Sequence, residues 1–179
     1  DGLMLIERSQ EAPFYMRYFN SDGYESTMCG NGGRCISHFA AKLKMVEKEI
    51  TFLGIDGIHH SVILPDGRVR LRMQNVESVA INDGYTFLNT GSPHHVVFST
   101  KVKQMDVFSA GKAIRHSAQY PEGVNVDFVE VVARDQLFVR TFERGVEDET
   151  LSCGTGVVAS AIAAFTSGNP STHYHIETL

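Results

Sequence analysis

The sequence predicts an α+β protein built from two similar halves, with sheets wrapped around helices. Three observations lead there: many short strand-like runs, few helical stripes, and a stretch of chain that repeats itself.

The strand-like runs fall at 3–7, 14–19, 50–53, 60–64, 69–73, 86–90, 95–99, 124–132 and 137–142. They are rich in Val, Ile, Phe and Tyr and are punctuated by turn formers such as Ser21-Asp22-Gly23, Pro65-Asp66-Gly67 and Asn82-Asp83-Gly84. Pro65-Asp66-Gly67, between two alternating runs, predicts a hairpin. Residues 173–179 also alternate like a strand. Apolar Ile36, Phe39, Ala40 and Leu43 make a helical stripe over about 32–46. Residues 155–165 are apolar almost all round, from Val157 to Phe165, which predicts a buried helix. A shorter helix is expected over 107–118.

Composition narrows the function classes. With 42% hydrophobic and 21% charged residues, the 179-residue chain is globular, and no apolar run reaches a membrane span. A net charge of −5 with interspersed signs argues against nucleic acid or an anionic membrane as partner. Three cysteines are too few for a disulfide scaffold, and their odd number fits a reducing compartment. The chain opens at Asp1-Gly2 and stops without a turn signal, so it is expected to be the middle of a longer one.

The repeat is the most informative feature. Met16-Arg17-Tyr18-Phe19-Asn20 is followed, after a loop, by Met28-Cys29-Gly30-Asn31-Gly32 and a helix. Val139-Arg140-Thr141-Phe142-Glu143 is followed, after a loop, by Ser152-Cys153-Gly154-Thr155-Gly156 and a helix. The two cysteines lie 124 residues apart, and the spacing from Arg to Cys differs by a single insertion. This predicts a duplicated domain, 1–77 and 78–179, each half presenting Cys-Gly-x-Gly at a helix start.

A cysteine at that place sits beside unpaired backbone N–H groups and the positive end of the helix dipole, which favour thiolate. The glycines leave the same amides open to an anion such as a carboxylate. If the halves face one another, a thiolate and a thiol flank one carbon, the arrangement that inverts a stereocentre. Cys35, one turn into the first helix beside Ile36, is expected in the core.

Several segments together resemble diaminopimelate epimerase. They are Phe19 to Gly23, Cys29-Gly30-Asn31-Gly32-Gly33-Arg34-Cys35, Gly91-Ser92-Pro93-His94, Gly123-Val124-Asn125-Val126, and Glu143-Arg144-Gly145 through Glu149-Thr150-Leu151-Ser152-Cys153-Gly154-Thr155-Gly156. The resemblance runs in order along nearly the whole chain. It implies two pseudo-symmetric α/β domains, each a barrel-like sheet around a central helix. It also implies a cytoplasmic, homodimeric enzyme that interconverts LL- and meso-diaminopimelate without pyridoxal phosphate or metal, in lysine and peptidoglycan precursor synthesis. Cys29 and Cys153 match the acid/base pair, with His94 and Glu143 assisting. Asn20, Asn125 and Arg144 match positions that hold the far end of the substrate, and Gly30, Asn31, Gly154 and Thr155 match the anion cradles. Ser92 stands where the family more often has Asn. The family's N-terminal segment, with its Gly-Asn-Asp-Phe run, and its last strand have no counterpart here.

His94 reads as a loop histidine held by Pro93. His59-His60 and His173-Tyr174-His175 lack acidic or thiol partners at ligand spacing, so no metal is expected. Glu143 and Arg144 could simply pair with each other, and Lys42, Lys44, Glu47 and Lys48 read as a solvated face. Two other functions fit the thiols: a proline or hydroxyproline racemase, with a small apolar pocket and no use for Arg144 or Asn125, and a thiol redox protein switching through Cys29 and Cys153.

Overall fold

A computed structural model describes residues 2–20, 23–27 and 29–179. Asp1, Ser21, Asp22 and Met28 fall outside the described residues, and with them the first two positions of the Ser21-Asp22-Gly23 turn and the first position of the Cys29 repeat motif. The chain separates into two compact units, Asp1–Gln74 and Asn75–Leu179.

In the first unit, β1 (Leu3–Glu7) and β2 (Tyr15–Phe19) pair antiparallel, α1 (Gly30–Lys42) crosses over, and β3 (Glu49–Gly54), β4 (Gly57–Ile63) and β5 (Val69–Leu71) form a meander. The sheet order is β1-β2-β3-β4-β5, and β2 meets β3 in parallel at Tyr15 and Leu53. A parallel neighbour needs such a crossover, because a short turn cannot return the chain to the same end of the sheet. Alternation along β3 turns Ile50 and Phe52 inward, where they join Phe14, Met16, Ile36 and Ala40. The Pro65-Asp66-Gly67 hairpin forms between β4 and β5, with Gly67 at φ +83°, a conformation only glycine adopts without strain.

The stripe on α1 lies one step from where the sequence puts it. Gly33, Ile36, Ser37 and Ala40 are buried, while Phe39 and Leu43 are each half exposed and Cys35 is exposed, not in the core. Ser37 takes an inward place because its hydroxyl is satisfied there, donating to Gly33 O at 2.6 Å and sharing a 2.8 Å hydrogen bond with Ser61 Oγ. The helix ends early because Lys44 turns left-handed (φ 60°), and Lys44 and Met45 N–H close back on Ala41 and Ala40.

The second unit runs β6 (Val79–Asn82), β7 (Tyr85–Asn89), β8 (Pro93–Phe98), a single 3-10 turn (Val102–Gln104), α2 (Val107–Arg115), β9 (Asn125–Ala133), β10 (Gln136–Glu143), β11 (Asp148–Thr150), α3 (Gly154–Thr166) and β12 (His175–Glu177). The sheet order is β11-β10-β9-β8-β7-β6, and β12 pairs parallel with the start of β10. The sheet has two buried faces. Val96, Val129, Leu137 and Val139 lie under α3 with Leu88, and Val126, Phe128, Phe138 and Phe142 lie under α2. β11 is invisible as a strand in the sequence because Asp148 and Glu149 are acidic; Arg140 grips Glu149 with two hydrogen bonds at 2.6 and 2.7 Å.

Two further expectations are corrected. The sheets are open: among the described residues, neither first strand pairs with the last, so neither closes as a barrel. And α3 is not buried all round. Its small residues Ala159, Ser160, Ala163 and Ala164 lie against the sheet, while Phe165 is about half exposed (53%), because the unit covers one side of the helix only.

α2 approaches β10 so closely that a Cβ on Gly111 would stand 2.3 Å from Phe142 Cβ. Overpacking of this kind costs ~1–3 kcal/mol, and Phe142 Cβ has no freedom to yield. Gly111→Ala is therefore expected to lower the urea midpoint, although alanine is the better helix former by ~1 kcal/mol.

Candidate active site

Both repeat cysteines are helix N-caps. Cys29 precedes α1 with φ −95° and ψ 127°, Cys153 precedes α3 with φ −105° and ψ 113°, and neither helix start carries a side-chain cap. Their carbonyls accept the first helical hydrogen bonds, from Gly33 N at 2.7 Å and Val157 N at 3.0 Å. At the second of these helix starts the Gly156 N–H is turned toward the Cys153 sulfur.

In the first unit, Cys29 is half-buried and Gly30 buried. Asn31 is exposed and its Oδ1 accepts from the Arg34 guanidinium. Asn20 follows β2, its N–H donating to Tyr24 O and its carbonyl accepting from Gly23 N, both at 3.0 Å. A Cβ on Gly32 would lie 2.9 Å from Met4 Sδ.

The second unit is more elaborate, and strand parity explains it. His94 shares a sheet face with Val96, Asp127 with Val129, and Thr141 with Val139, so all three point toward the helix that Cys153 begins. His94 is not a loop residue: it lies in β8, fully buried. Its Nδ1 meets Asp127 Oδ2 at 2.7 Å and its Nε2 meets Thr155 Oγ1 at 2.9 Å. Thr155 Oγ1 lies 3.4 Å from Cys153 Sγ, and Thr141 donates to Asp127 Oδ1 at 2.7 Å. Asp127 is the residue the sequence reading missed. Its signal was there: one acid on the inward parity of an otherwise apolar strand, Val126-Asp127-Phe128-Val129.

Cys153 departs from the expected low-pKa thiol. Burial pushes its pKa well up, with the negative charges of Glu143 and Asp127 adding to the rise; the Thr155 hydroxyl and Gly156 N–H oppose it without overcoming it. Burial likewise raises Glu143, whose carboxylate accepts from Thr150 Oγ1 at 3.0 Å. Glu143 and Arg144 turn to different partners, since neighbours at a strand end point to opposite sides. Arg144 Nη1 donates instead to Glu122 O at 3.4 Å. Asn125, nearly fully buried, donates to Ser92 Oγ at 2.8 Å and Pro93 O at 3.2 Å and accepts from Arg144 N at 2.8 Å. One carbonyl lone pair is left, so its chief work in this unit is to hold the start of β8 and the Arg144 backbone.

At the far end of β10, Asp135, His173 and His175 bring donor atoms within 4.8 Å of one another. The acid that sequence spacing did not supply arrives because β12 runs parallel to β10, with His175 N donating to Asp135 O at 2.8 Å. His173 and His175 are exposed, and His173 Nε2 stands 3.6 Å from Asp135 Oδ2, a surface ion pair when protonated.

The family model for diaminopimelate epimerase matches residues 1–80 and 86–179. A diaminopimelate epimerase of Flavobacterium psychrophilum is 51% identical over 97% of this chain and 68% of its own length. One from Chlorobaculum tepidum is 42% identical over 94% of this chain and 68% of its own length. The chain thus spans about two thirds of these relatives. Among solved structures, a hydroxyproline epimerase from Agrobacterium vitis matches at TM-score 0.71 and 15% identity, over 96% of this chain and 60% of that one. A PhzF-family phenazine biosynthesis protein from Bacillus anthracis matches at TM-score 0.66 and 16% identity, over 91% of this chain and 65% of that one. At such identities the likeness is one of fold.

The thiols should differ in reactivity. At neutral pH iodoacetamide is expected to label exposed Cys35 well before buried Cys153, as peptide mapping would show. The sign of the pH dependence follows from burial. The folded protein keeps on Cys153 a proton that the unfolded chain releases around its ordinary value of 9.0, so stability falls as pH rises past 9. Cys153→Ala removes that part of the fall, which urea midpoints at pH 8 and pH 10 would register as a smaller loss in the variant.

Proposed function

Since the chain belongs to the diaminopimelate epimerase family, we propose that it inverts the α-carbon of diaminopimelate with Cys29 and Cys153 as the acid/base pair. The observation that carries this reading is the matched pair of cysteine N-caps, one in each unit, with nearly equal backbone torsions.

Inversion requires a proton to leave one face of the α-carbon and another to arrive on the opposite face. Two like groups suit a reaction whose forward and reverse directions are near mirror images. Each thiol is base in one direction and acid in the other. The amides at Gly30 and Asn31, and at Gly154 and Thr155, receive the substrate carboxylate and the charge that develops as the carbon becomes planar. Arg144 and Asn20 recognise the distal amino acid end, and Asn125 holds Arg144 in place through its backbone N–H. His94 and Glu143 assist from the second unit. Buried Glu143, with its raised pKa, exchanges a proton near neutrality more readily than an exposed carboxylate does. The reading uses neither pyridoxal phosphate nor metal. A homodimer, a cytoplasmic location and a part in lysine and cell-wall precursor synthesis go with it as further proposals. Among the described residues no helix is long and apolar enough to cross a membrane.

Cys29→Ala and Cys153→Ala are each expected to abolish epimerisation, and Cys35→Ala to leave it near the wild-type rate, as followed by α-deuterium incorporation from solvent. Retained activity in either of the first two variants would sink the two-base reading. Lysine lacks the distal carboxylate, so buried polar groups would go unpaired with it; such sites discriminate by up to ~10⁴–10⁵. Comparable turnover of lysine, or of proline, would move the assignment to another amino-acid racemase.

A further inference from the structure

We propose that Asp127 is a positioning residue that makes His94 the proton acceptor for Cys153, through the hydroxyl of Thr155. The proposal rests on Cys153 being one of the acid/base thiols and adds the route by which it exchanges its proton.

With a neutral His94 ring, as the proposal requires, the Asp127 carboxylate fixes the direction of every hydrogen bond in the chain of contacts. A carboxylate only accepts, so His94 Nδ1, 2.7 Å from Asp127 Oδ2, carries a hydrogen. The other nitrogen of the neutral ring then bears a lone pair. Nε2 accordingly faces a donor, the Thr155 hydroxyl at 2.9 Å. Thr155, having given its hydrogen to His94, can only accept from Cys153, 3.4 Å away. The chain reads S–H to Oγ–H to Nε2, with Nδ1–H to carboxylate. When Cys153 ionises, its proton passes to Thr155 Oγ1 as the Thr155 hydrogen passes to His94 Nε2. Thiolate and imidazolium form together, the Asp127 charge stabilises the imidazolium, and no proton leaves the unit. Reprotonation retraces the path.

A second observation shows that the fold makes room for this carboxylate. A Cβ on Gly156 would lie 2.3 Å from Asp127 Oδ1, 3.2 Å from Cys153 Cβ and 3.2 Å from Thr141 Oγ1. The last glycine of Cys153-Gly154-Thr155-Gly156 is thus needed by Asp127. The matching glycine of the first unit, Gly32, faces the thioether of Met4 instead. The relay belongs to one half of the duplicated pair.

Asp127 has a second, opposite influence. Its negative charge, with that of Glu143 on β10, acts against ionisation of Cys153. It also acts on Glu143 and on His95, whose ring lies on the other face of β8. The two influences predict opposite outcomes for Asp127→Asn. If Asp127 acts only as a nearby charge, the variant thiol ionises more easily. If it acts through His94, the variant thiol ionises less easily.

The test is iodoacetamide labelling of Cys153 between pH 6 and pH 10, mapped by peptide mass, with exposed Cys35 as internal standard. Asp127→Asn is expected to slow labelling of Cys153 about tenfold or more at every pH in that range, relative to Cys35. Tenfold corresponds to a thiol that ionises about one pH unit higher. Unchanged or faster labelling in a variant that melts like the wild type overturns the proposal. Should the variant unfold, the wild-type protein decides: ¹⁵N spectra of its imidazoles should show His94 as the Nδ1–H tautomer, and an Nε2–H tautomer overturns the relay. A Cys153→Ala variant that still epimerises would defeat the acid/base reading while leaving the labelling result intact, so the two failures are distinguishable.

Discussion

The contact between Gly156 and the carboxylate of Asp127 governs the second unit. A helix whose third residue has no side chain can settle directly on the strand carrying that acid. With any side chain there, Asp127 would have to move, and it is fixed from two sides, by Thr141 at 2.7 Å and by His94 at 2.7 Å. Close approach in turn selects the rest of the helix face. Ala159, Ser160, Ala163 and Ala164 are small because the backbone of α3 is already near the sheet, and Ser160 returns its hydroxyl to Gly156 O at 2.8 Å.

That closeness sets the chemistry of Cys153. Two effects compete on the sulfur. The helix start offers an N–H from Gly156 and the hydroxyl of Thr155, both favouring thiolate. Burial at 5% exposure, beside two carboxylates, favours the thiol and wins. A buried thiol that must act as a base needs a partner for its proton, and parity on β8 and β9 brings one up from the opposite side, His94 backed by Asp127. Cys29 is half-buried, and the place across from its glycine is held by a methionine. Duplication has kept the caps alike while their surroundings have diverged.

The elements were largely legible from sequence, for reasons that are local. Turn chemistry such as Pro65-Asp66-Gly67 and Asn82-Asp83-Gly84 lies between paired strands. The helices following Cys29 and Cys153 begin at Gly30 and Gly154, immediately after each cysteine. What failed locally failed for identifiable reasons. Ser37 displaced Phe39 from the inner face of α1 because Gly33 and Ser61 satisfy its hydroxyl. β11 was hidden because it carries two acids, of which Glu149 is paired by Arg140, a partner on another strand.

The repeat, the two Cys-Gly-x-Gly motifs and membership of the family were therefore determined by the sequence alone, since each is a matter of residue type at fixed spacing along the chain. The tertiary structure decided which thiol is buried, which way His94 faces and what stands behind it. Those depend on residues 33 and 61 positions apart, His94 with Asp127 and with Thr155, which no spacing rule connects. Ionisation is set by the medium and by neighbouring charges within a few ångströms, and only packing assembles these around a sulfur.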